Sequence, residues 1–545
     1  MERQDAGREG SVAVVCPPTA VDEPVAVTTA ARGEDIDGAE PSPFAHRALS
    51  PWVRITGWSL LALQLVGMLV FSTVQYNRFA LTIDFANYSQ AWWSIAHGNL
   101  DPFIAGFGVP FWKNNAEFAM WPLALLDRVY PHPIVLLWLQ DVAVVITEMV
   151  AFGWIVQVIG RARRRDPNRI SYRAGVWLGL GAAVVLVAEP WVYETIAFDF
   201  HFEAFAALFV LLVGYDLWAG RNRRLWCWVP LALMSTALAG VYLVGVGISG
   251  VLAGPGTRRR GAVIAAIGLA WVGVLSAVGG VGVGGRTFSA SYGYLVGSHR
   301  GSVGPLSVIG GAFEHPAAVG QMAASHWSVA LSFLVVLGLI GLVSPWGFGM
   351  AFVVLVPNVL DGSGTFIRYG ASFQSWPAMP FILVGSVLVL VRLLEGGRLA
   401  RRVAAVSLAL WGTLLGVFAL IALPTVPRAW LWVDRPAAAE LARIEPAIPP
   451  DAEVVVSLPV MGRFAQRSSV HGFVKDDERV PVNRPEVVFV FGPYESFQKI
   501  LSRHGIAAAT GFVEHRLHGR VLGAGSGVVA VAWSPPPGTR QITLP

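Results

Sequence analysis

The residues of this chain best equipped for chemistry are few, mostly acidic, and set at the ends of apolar runs. The first is Asp84, in the stretch TIDFANYSQAWWSIAH of Thr82–His97. Behind it Phe85, Tyr88, Trp92 and Ile95 recur at helical spacing, while Asn87, Gln90, Ser94 and His97 fall on the opposite face. Such a helix beside an apolar run is expected to lie flat in a bilayer interface and hold one carboxylate at the membrane surface. Asp84 also stands where a helix N-cap belongs. A second cluster, YETIAFDFHFEAF, carries Tyr193, Glu194, Asp199, His201 and Glu203. If extended, its alternation with Phe198, Phe200 and Phe202 puts three polar groups on one side. If helical, Asp199 and Glu203 share a face at i, i+4. The alternative is a solvated loop with aromatic interface anchors. Acids and a histidine together can move protons or hold a divalent metal, but this spacing identifies no metal.

Weaker candidates follow. Pro357–Asn358 precedes TFIRYGASFQSWPAMP, where Arg368 could clamp a phosphate through its guanidinium, or simply anchor at the interface beside Tyr369. Asn114, Asn115 and Glu117 precede an apolar helix over Phe118–Leu126, so Glu117 is either a site residue or a helix-start acid. Asp141 and Glu148 lie on one face of the second long apolar run, where a proton or ion pathway would use them. No matching charged set stands out in other runs. Gly240, Gly245, Gly247 and Gly250 suit close helix packing.

The elements that must position these residues are legible from composition. Of 545 residues, 54% are hydrophobic and 14% charged, with a mean hydropathy of +0.56, where a soluble chain carries roughly 25% charge. Apolar runs of membrane-spanning length mark a polytopic α-helical membrane protein. The net charge of +5 resides in short basic clusters between those runs, which argues against a nucleic-acid partner. Cys16 and Cys227 make no plausible disulfide or metal site. About eleven spans are expected, at 53–75, 132–159, 171–190, 203–219, 225–239, 240–254, 262–283, 327–344, 346–360, 377–395 and 403–424, with the fifth and sixth short enough for a re-entrant hairpin.

A cytoplasmic N-terminus puts Arg161–Arg173, Arg221–Arg224, Arg258–Arg260 and Arg398–Arg402 inside. Residues 1–48 read as a disordered cytoplasmic tail and 49–424 as the membrane domain. Loops at 76–131 and 284–326, the latter with His299, His315 and His326, then face outward. So does a soluble α/β domain at 425–545, with helices at Ala437–Ile444 and Glu495–Arg503 and strands at Glu453–Ser457, Glu486–Phe491 and Val528–Trp533. The first span is expected to act as an uncleaved signal anchor in a plasma membrane.

This order of elements resembles the GT-C membrane glycosyltransferases. More narrowly, DFANYSQAWWSIAHGN, FDFHFEAFAA and VPNVL…RYG…MPF resemble an uncharacterised bacterial family of multi-pass membrane proteins related to them, over roughly residues 55–525. The resemblance implies a GT-C-like core with an interfacial helix in the first outer loop, a polyprenyl-phosphate-linked sugar as donor, and an envelope glycan or protein as acceptor. It implies Asp84 as catalytic base, with Glu117, Asp199, His201, Glu203, Asn358, Arg368 and Tyr369 around the substrates. No cofactor is certain and a divalent metal is possible. The chain departs from the family pattern twice. Thr236–Gly240 stands where a charged cluster is common, and Glu117-Phe118-Ala119-Met120 stands where His-Phe-Ser-Pro is common. The expected function is an inverting membrane glycosyltransferase. The alternatives are a non-catalytic scaffold or lipid-binding protein of the same fold, then a transporter.

Overall fold

The computed structural model describes residues 51–104, 108–279, 282–296, 305–363, 374–422, 431–473, 477–493 and 503–545. The N-terminal tail, His299, Arg368, Tyr369 and nearly all of the helix expected at Glu495–Arg503 lie outside these residues.

The bundle begins with α1 (Pro51–Asn77) and α2 (Ile83–Ala96). It continues through α3 (Ile134–Arg165), α4 (Tyr172–Ala188), α5 (Pro190–Ala197), α6 (Glu203–Ala219), α7 (Asn222–Ser235), α8 (Ala239–Ala253) and α9 (Pro255–Val278). Next come α10 (Gly282–Val296), α11 (Pro305–Glu314), α12 (Pro316–Leu337), α13 (Pro345–Val359), α14 (Met379–Glu395) and α15 (Arg398–Ala422). Each expected apolar run falls on a helix, although 327–344 crosses from α12 into a 3-10 turn. Among the described residues, six helices are long and apolar enough to span a membrane. The expected hairpin resolves into α7 and α8, of 14 and 15 residues. At 1.5 Å per residue each falls short of the roughly 30 Å of a hydrocarbon core.

Small residues set how closely these short helices approach. A Cβ on Gly247 would stand 2.6 Å from Gly261 O, and one on Gly268 would stand 2.4 Å from Gly240 O. The glycines therefore let α8 and α9 pack backbone to backbone. At one end of the bundle the arginines gather. Arg161 stacks over Trp218, and the buried Asp216 is approached by Arg221 at 3.7 Å and Arg224 at 3.5 Å. Asp84 lies at the other end, beyond the C-terminus of α1.

The segment expected as a Gly- and Ser-rich loop at 284–326 is largely helical in its described parts, as α10, α11 and the start of α12. Packing overrides the weak helix propensity of Gly and Ser. Tyr292 and Tyr294 donate to Pro357 O and Leu360 O, both at 3.0 Å, tying α10 to the end of α13.

The C-terminal domain begins with α16 (Arg435–Ile444), capped by Asp434, whose side chain accepts from Ala437 N at 2.8 Å. Its strands are β1 (Glu453–Ser457), β2 (Val470–Phe473), β3 (Glu478–Pro481), β4 (Val487–Phe491), β5 (Arg520–Gly525), β6 (Val528–Trp533) and β7 (Gln541–Leu544). A five-stranded sheet runs β2-β1-β4-β6-β5, parallel across β2-β1-β4 and antiparallel beyond, with β3 and β7 paired separately. β1 and β4 are buried throughout, as inner strands covered on both faces must be. Val455, Phe489 and Val531 face α17 (Arg503–Gly511). Val454, Val456, Val488 and Ala530 face α16 and, with them, Phe79, Ala80 and Ala86 of the α1–α2 region. The domain is thus seated on the membrane bundle. Arg463 reinforces the joint by stacking over Tyr76 and Phe79 (4.3 Å to each ring), pairing with Glu445 at 2.5 Å and donating to Tyr76 O at 3.2 Å.

Candidate functional site

α2 is not a surface helix. Phe85 and Trp92 are fully buried and Tyr88 nearly so, but they pack against protein: Tyr88 lies edge-on to Phe111, Phe200 and Phe202, and Trp92 donates to Leu123 O. On the opposite polar face Asn87 and Gln90 are buried as well, while Ser94 is half-buried and His97 exposed. Gln90 donates to Arg467 O of the C-terminal domain at 3.2 Å, and Gly462 fits against Leu81 and Phe85. The amphipathic pattern was real. Its aromatic face and the Asn87–Gln90 part of its polar face found protein partners, and the His97 end stays exposed.

The N-cap of α2 is Thr82, not Asp84. Its hydroxyl accepts from Asp84 N at 3.4 Å, which places Asp84 in the first turn. The charge at this helix terminus comes from Asp199, whose Oδ2 accepts from Thr82 N at 2.8 Å, Thr82 Oγ1 at 2.6 Å and Phe85 N at 3.4 Å. A carboxylate from another element thus satisfies the first-turn donors and favours the positive end of the dipole. Asp199 itself adopts a left-handed conformation (φ 81), which Asp tolerates better than most residues. The segment 199–202 is therefore neither strand nor helix, with Glu203 opening α6. Gln140 of α3 fastens it by donating to Asp199 O at 2.8 Å and accepting from His201 N at 2.5 Å.

This loop turns His201 toward Asp84, with Nε2 3.6 Å from Asp84 Oδ2. The His201 side chain is 5% exposed and that of Asp84 32%. Asp84 is the open member of an otherwise closed cluster. Glu117 is fully buried and accepts from Tyr88 OH at 2.7 Å, and the Tyr88 ring lies 5.9 Å from that of His201. Glu203 is buried and accepts from Thr236 Oγ1 at 3.3 Å. Asp84, Glu117, Asp199, His201 and Glu203 thus converge, and the solvated-loop alternative fails for 199–203. The two stretches that depart from the family pattern meet at the same place, where Ala119 N donates to Met234 O at 2.8 Å beside Thr236.

Burial raises the Asp199 carboxyl from an ordinary 3.8 to about 7 against the opposing pull of the Thr82 donors, with the charge of Asp84 adding to the rise. Burial also lifts the Tyr88 phenol well above its usual range, helped by the neighbouring charge of Glu117. Asn358 donates to Ser375 Oγ at 2.6 Å, so its amide serves the α13–α14 connection. Among the described residues no group of three or more His, Cys, Asp or Glu has a metal-holding arrangement. Thr82, Gln140 and Thr236 were missed from sequence, and Tyr88 was read only as part of an apolar stripe. Gln140 had a signal, an amide beside an acid inside an apolar run.

Fold and site together define a multi-pass helical membrane protein whose C-terminal α/β domain is seated on the α1–α2 region, with an acid–histidine cluster that includes Asp84 of α2. The chain belongs to the family described as "Predicted membrane protein (DUF2079)", which matches residues 75–510. Among solved structures it is similar to ArnT from Cupriavidus metallidurans bound to undecaprenyl phosphate, at 14% identity and a TM-score of 0.43, covering 88% of this chain and 98% of that one. The apo state of ArnT from the same organism gives 13% identity and a TM-score of 0.40 at the same coverages. No curated protein matches the chain.

Proposed function

We propose that the protein is an inverting membrane glycosyltransferase. The observation that carries this reading is the approach of His201 to Asp84, with the acid partly open in a buried cluster. Asp84 takes the proton from an acceptor hydroxyl as that oxygen bonds to the anomeric carbon of the sugar. The bond from that carbon to the donor's phosphate oxygen breaks on the opposite side. The phosphate leaves with the bonding pair, and His201, 3.6 Å from Asp84 Oδ2, orients the acid toward the acceptor hydroxyl. The donor class, a sugar on a polyprenyl phosphate, comes from the sequence resemblance, and Arg368 and Tyr369 enter only through it. An outer-face location is supported by the positive-inside rule, since the arginines gather at the end of the bundle away from Asp84.

Replacing Asp84 by Asn tests the reading in cells that make the protein. The expected result is loss of a sugar from the envelope glycan profile at unchanged protein level in the membrane. An unchanged profile overturns it. A second reading, a non-catalytic scaffold, is favoured by the structural work of the other acids: Asp199 caps α2, Glu117 holds Tyr88 and Glu203 holds Thr236.

A further inference from the structure

We propose that Glu148 and Glu189 form a proton-binding site inside the helix bundle, two carboxyls sharing an exchangeable proton around one enclosed water. Glu148 comes from α3 and Glu189 from the α4–α5 junction, and both line one cavity of about 10 Å³, room for a single water. The two residues are 2% and 4% exposed. Glu148 Oε1 accepts from Gln64 Nε2 of α1 at 3.3 Å. Glu148 Oε2 and Glu189 Oε1 have no hydrogen-bond partner among the described residues. Thr147 also lines the cavity, but its hydroxyl donates to Ala143 O at 2.7 Å.

The remaining wall is apolar, including Leu186, Leu337, Trp376 and Leu383, and no Lys, Arg or His lines it. The titratable Tyr193 of α5 donates its hydroxyl to Val187 O at 2.7 Å. Two carboxyls in such surroundings, with no cation to balance them, do not both stay ionised. A proton on one creates the donor that the other's oxygen lacks, directly or through the water. The few oxygens present are far from the six to eight that a calcium-sized ion needs.

A polar seam between α1 and α3 leads from this pair toward the Asp84 end. Along it Ser72 donates to Asp141 Oδ1 at 3.1 Å and Gln75 donates to Ala197 O at 2.5 Å. Asp141 Oδ2 and Gln75 Oε1 have no partner among the described residues, so acceptors with spare capacity continue along the seam. The Ser72–Asp141 pair stands about two helical turns from Gln64–Glu148, with the buried Met68 and Val145 between them. The site requires nothing of the glycosyltransferase reading.

Infrared spectroscopy of the full chain in lipid nanodiscs tests the proposal, scanned from about pH 5 to about pH 9. Expected is a protonated-carboxyl C=O band that shifts in D2O and loses intensity as the pH rises. The buried Asp199 carboxyl contributes a band of its own in this range. The Glu148–Glu189 band is therefore read in the difference spectrum between the parent and the Glu148→Gln/Glu189→Gln double variant, and it persists in that difference when Asp141→Asn or Asp199→Asn is the background. Glu189→Asp keeps a carboxyl on a shorter stem, so the band should move without vanishing, and this arm does not require a variant that empties the site. No such band in the difference spectrum, or one insensitive to both D2O and pH, overturns the proposal.

Discussion

In the C-terminal domain His471 Nε2 lies 2.7 Å from Glu453 Oε1, while at the head of the bundle His201 Nε2 lies 3.6 Å from Asp84 Oδ2. Glu453 opens β1 fully buried, and its oxygens also accept from Ser469 Oγ at 2.8 Å, Asn483 Nδ2 at 3.1 Å and Asn483 N at 2.6 Å. Burial pushes this carboxyl up, but the donors together outweigh it and hold the group below its ordinary value. That is how an acid is made part of a scaffold: every lone pair has a use, and nothing remains for a substrate. Asp84 is built the other way, a third exposed, with its fixed neighbours held by Asp199 and Gln140. The residue types alone do not separate the two pairs. Exposure and the donors around each acid do.

The largest expected effect breaks the comparison most directly. Asp84→Asn should lower sugar transfer by about 10²- to 10⁴-fold, the usual worth of a positioned proton acceptor, while the thermal midpoint in detergent stays near that of the parent. Glu453→Gln should do the reverse. An amide NH2 turned toward the Asn483 donors leaves buried groups unsatisfied, at about 1–3 kcal/mol, with transfer per folded molecule unchanged. A Glu453→Gln chain of parental stability, or one folded but inactive, would erase the distinction between the two pairs. The intact network also sets a pH direction. Because the folded Glu453 titrates below its usual 4.5, its contribution is present above that value and fades as the pH falls through the folded one.

Much of this architecture was legible in advance. The apolar runs gave the helices, and Glu453–Ser457 and Val528–Trp533 emerge as strands with the expected boundaries. The grouping of Asp84, Asp199 and His201 was what the family resemblance implied, and spacing alone did not give it. What composition could not disclose was which surface each face would meet. Asn87 and Gln90 look like a solvent face until the C-terminal domain, hundreds of residues away in sequence, is laid upon them. The role of Asp199 as the cap of α2 is long-range in the same sense, since a cap is normally sought within the helix's own sequence. Gln64 and Glu189 were passed over because an intramembrane acid was sought beside others on its own span.

Smaller effects sharpen the picture at the α2 terminus. Thr82→Val keeps the shape of the side chain but removes its hydrogen bonds to Asp199 Oδ2 and Asp84 N. It should lower the stability by about 1 kcal/mol, the usual worth of an N-cap, read as a modest fall in the thermal midpoint. A fall no larger than that of an exposed substitution would show that Asp199 caps α2 without help.

The most specific effect is a pH dependence, because Asp199 and Glu453 titrate in opposite senses. The folded Asp199 is raised from 3.8 to about 7, chiefly by burial. Its contribution to stability is therefore complete below about 3.8 and lost as the pH rises through about 7. Asp199→Asn retains an oxygen able to accept from Thr82 N and carries no charge to desolvate. The variant should match the parent at the acid end of that window and lose less stability toward the alkaline end, so the two melting curves diverge as the pH rises. The comparison is made by measuring thermal midpoints of both proteins across the window in one detergent. Parallel curves would mean that the ionised carboxylate is as well housed as the neutral acid, which would place Asp199 with Glu453 among the fully satisfied groups and leave Asp84 as the single open acid of the cluster.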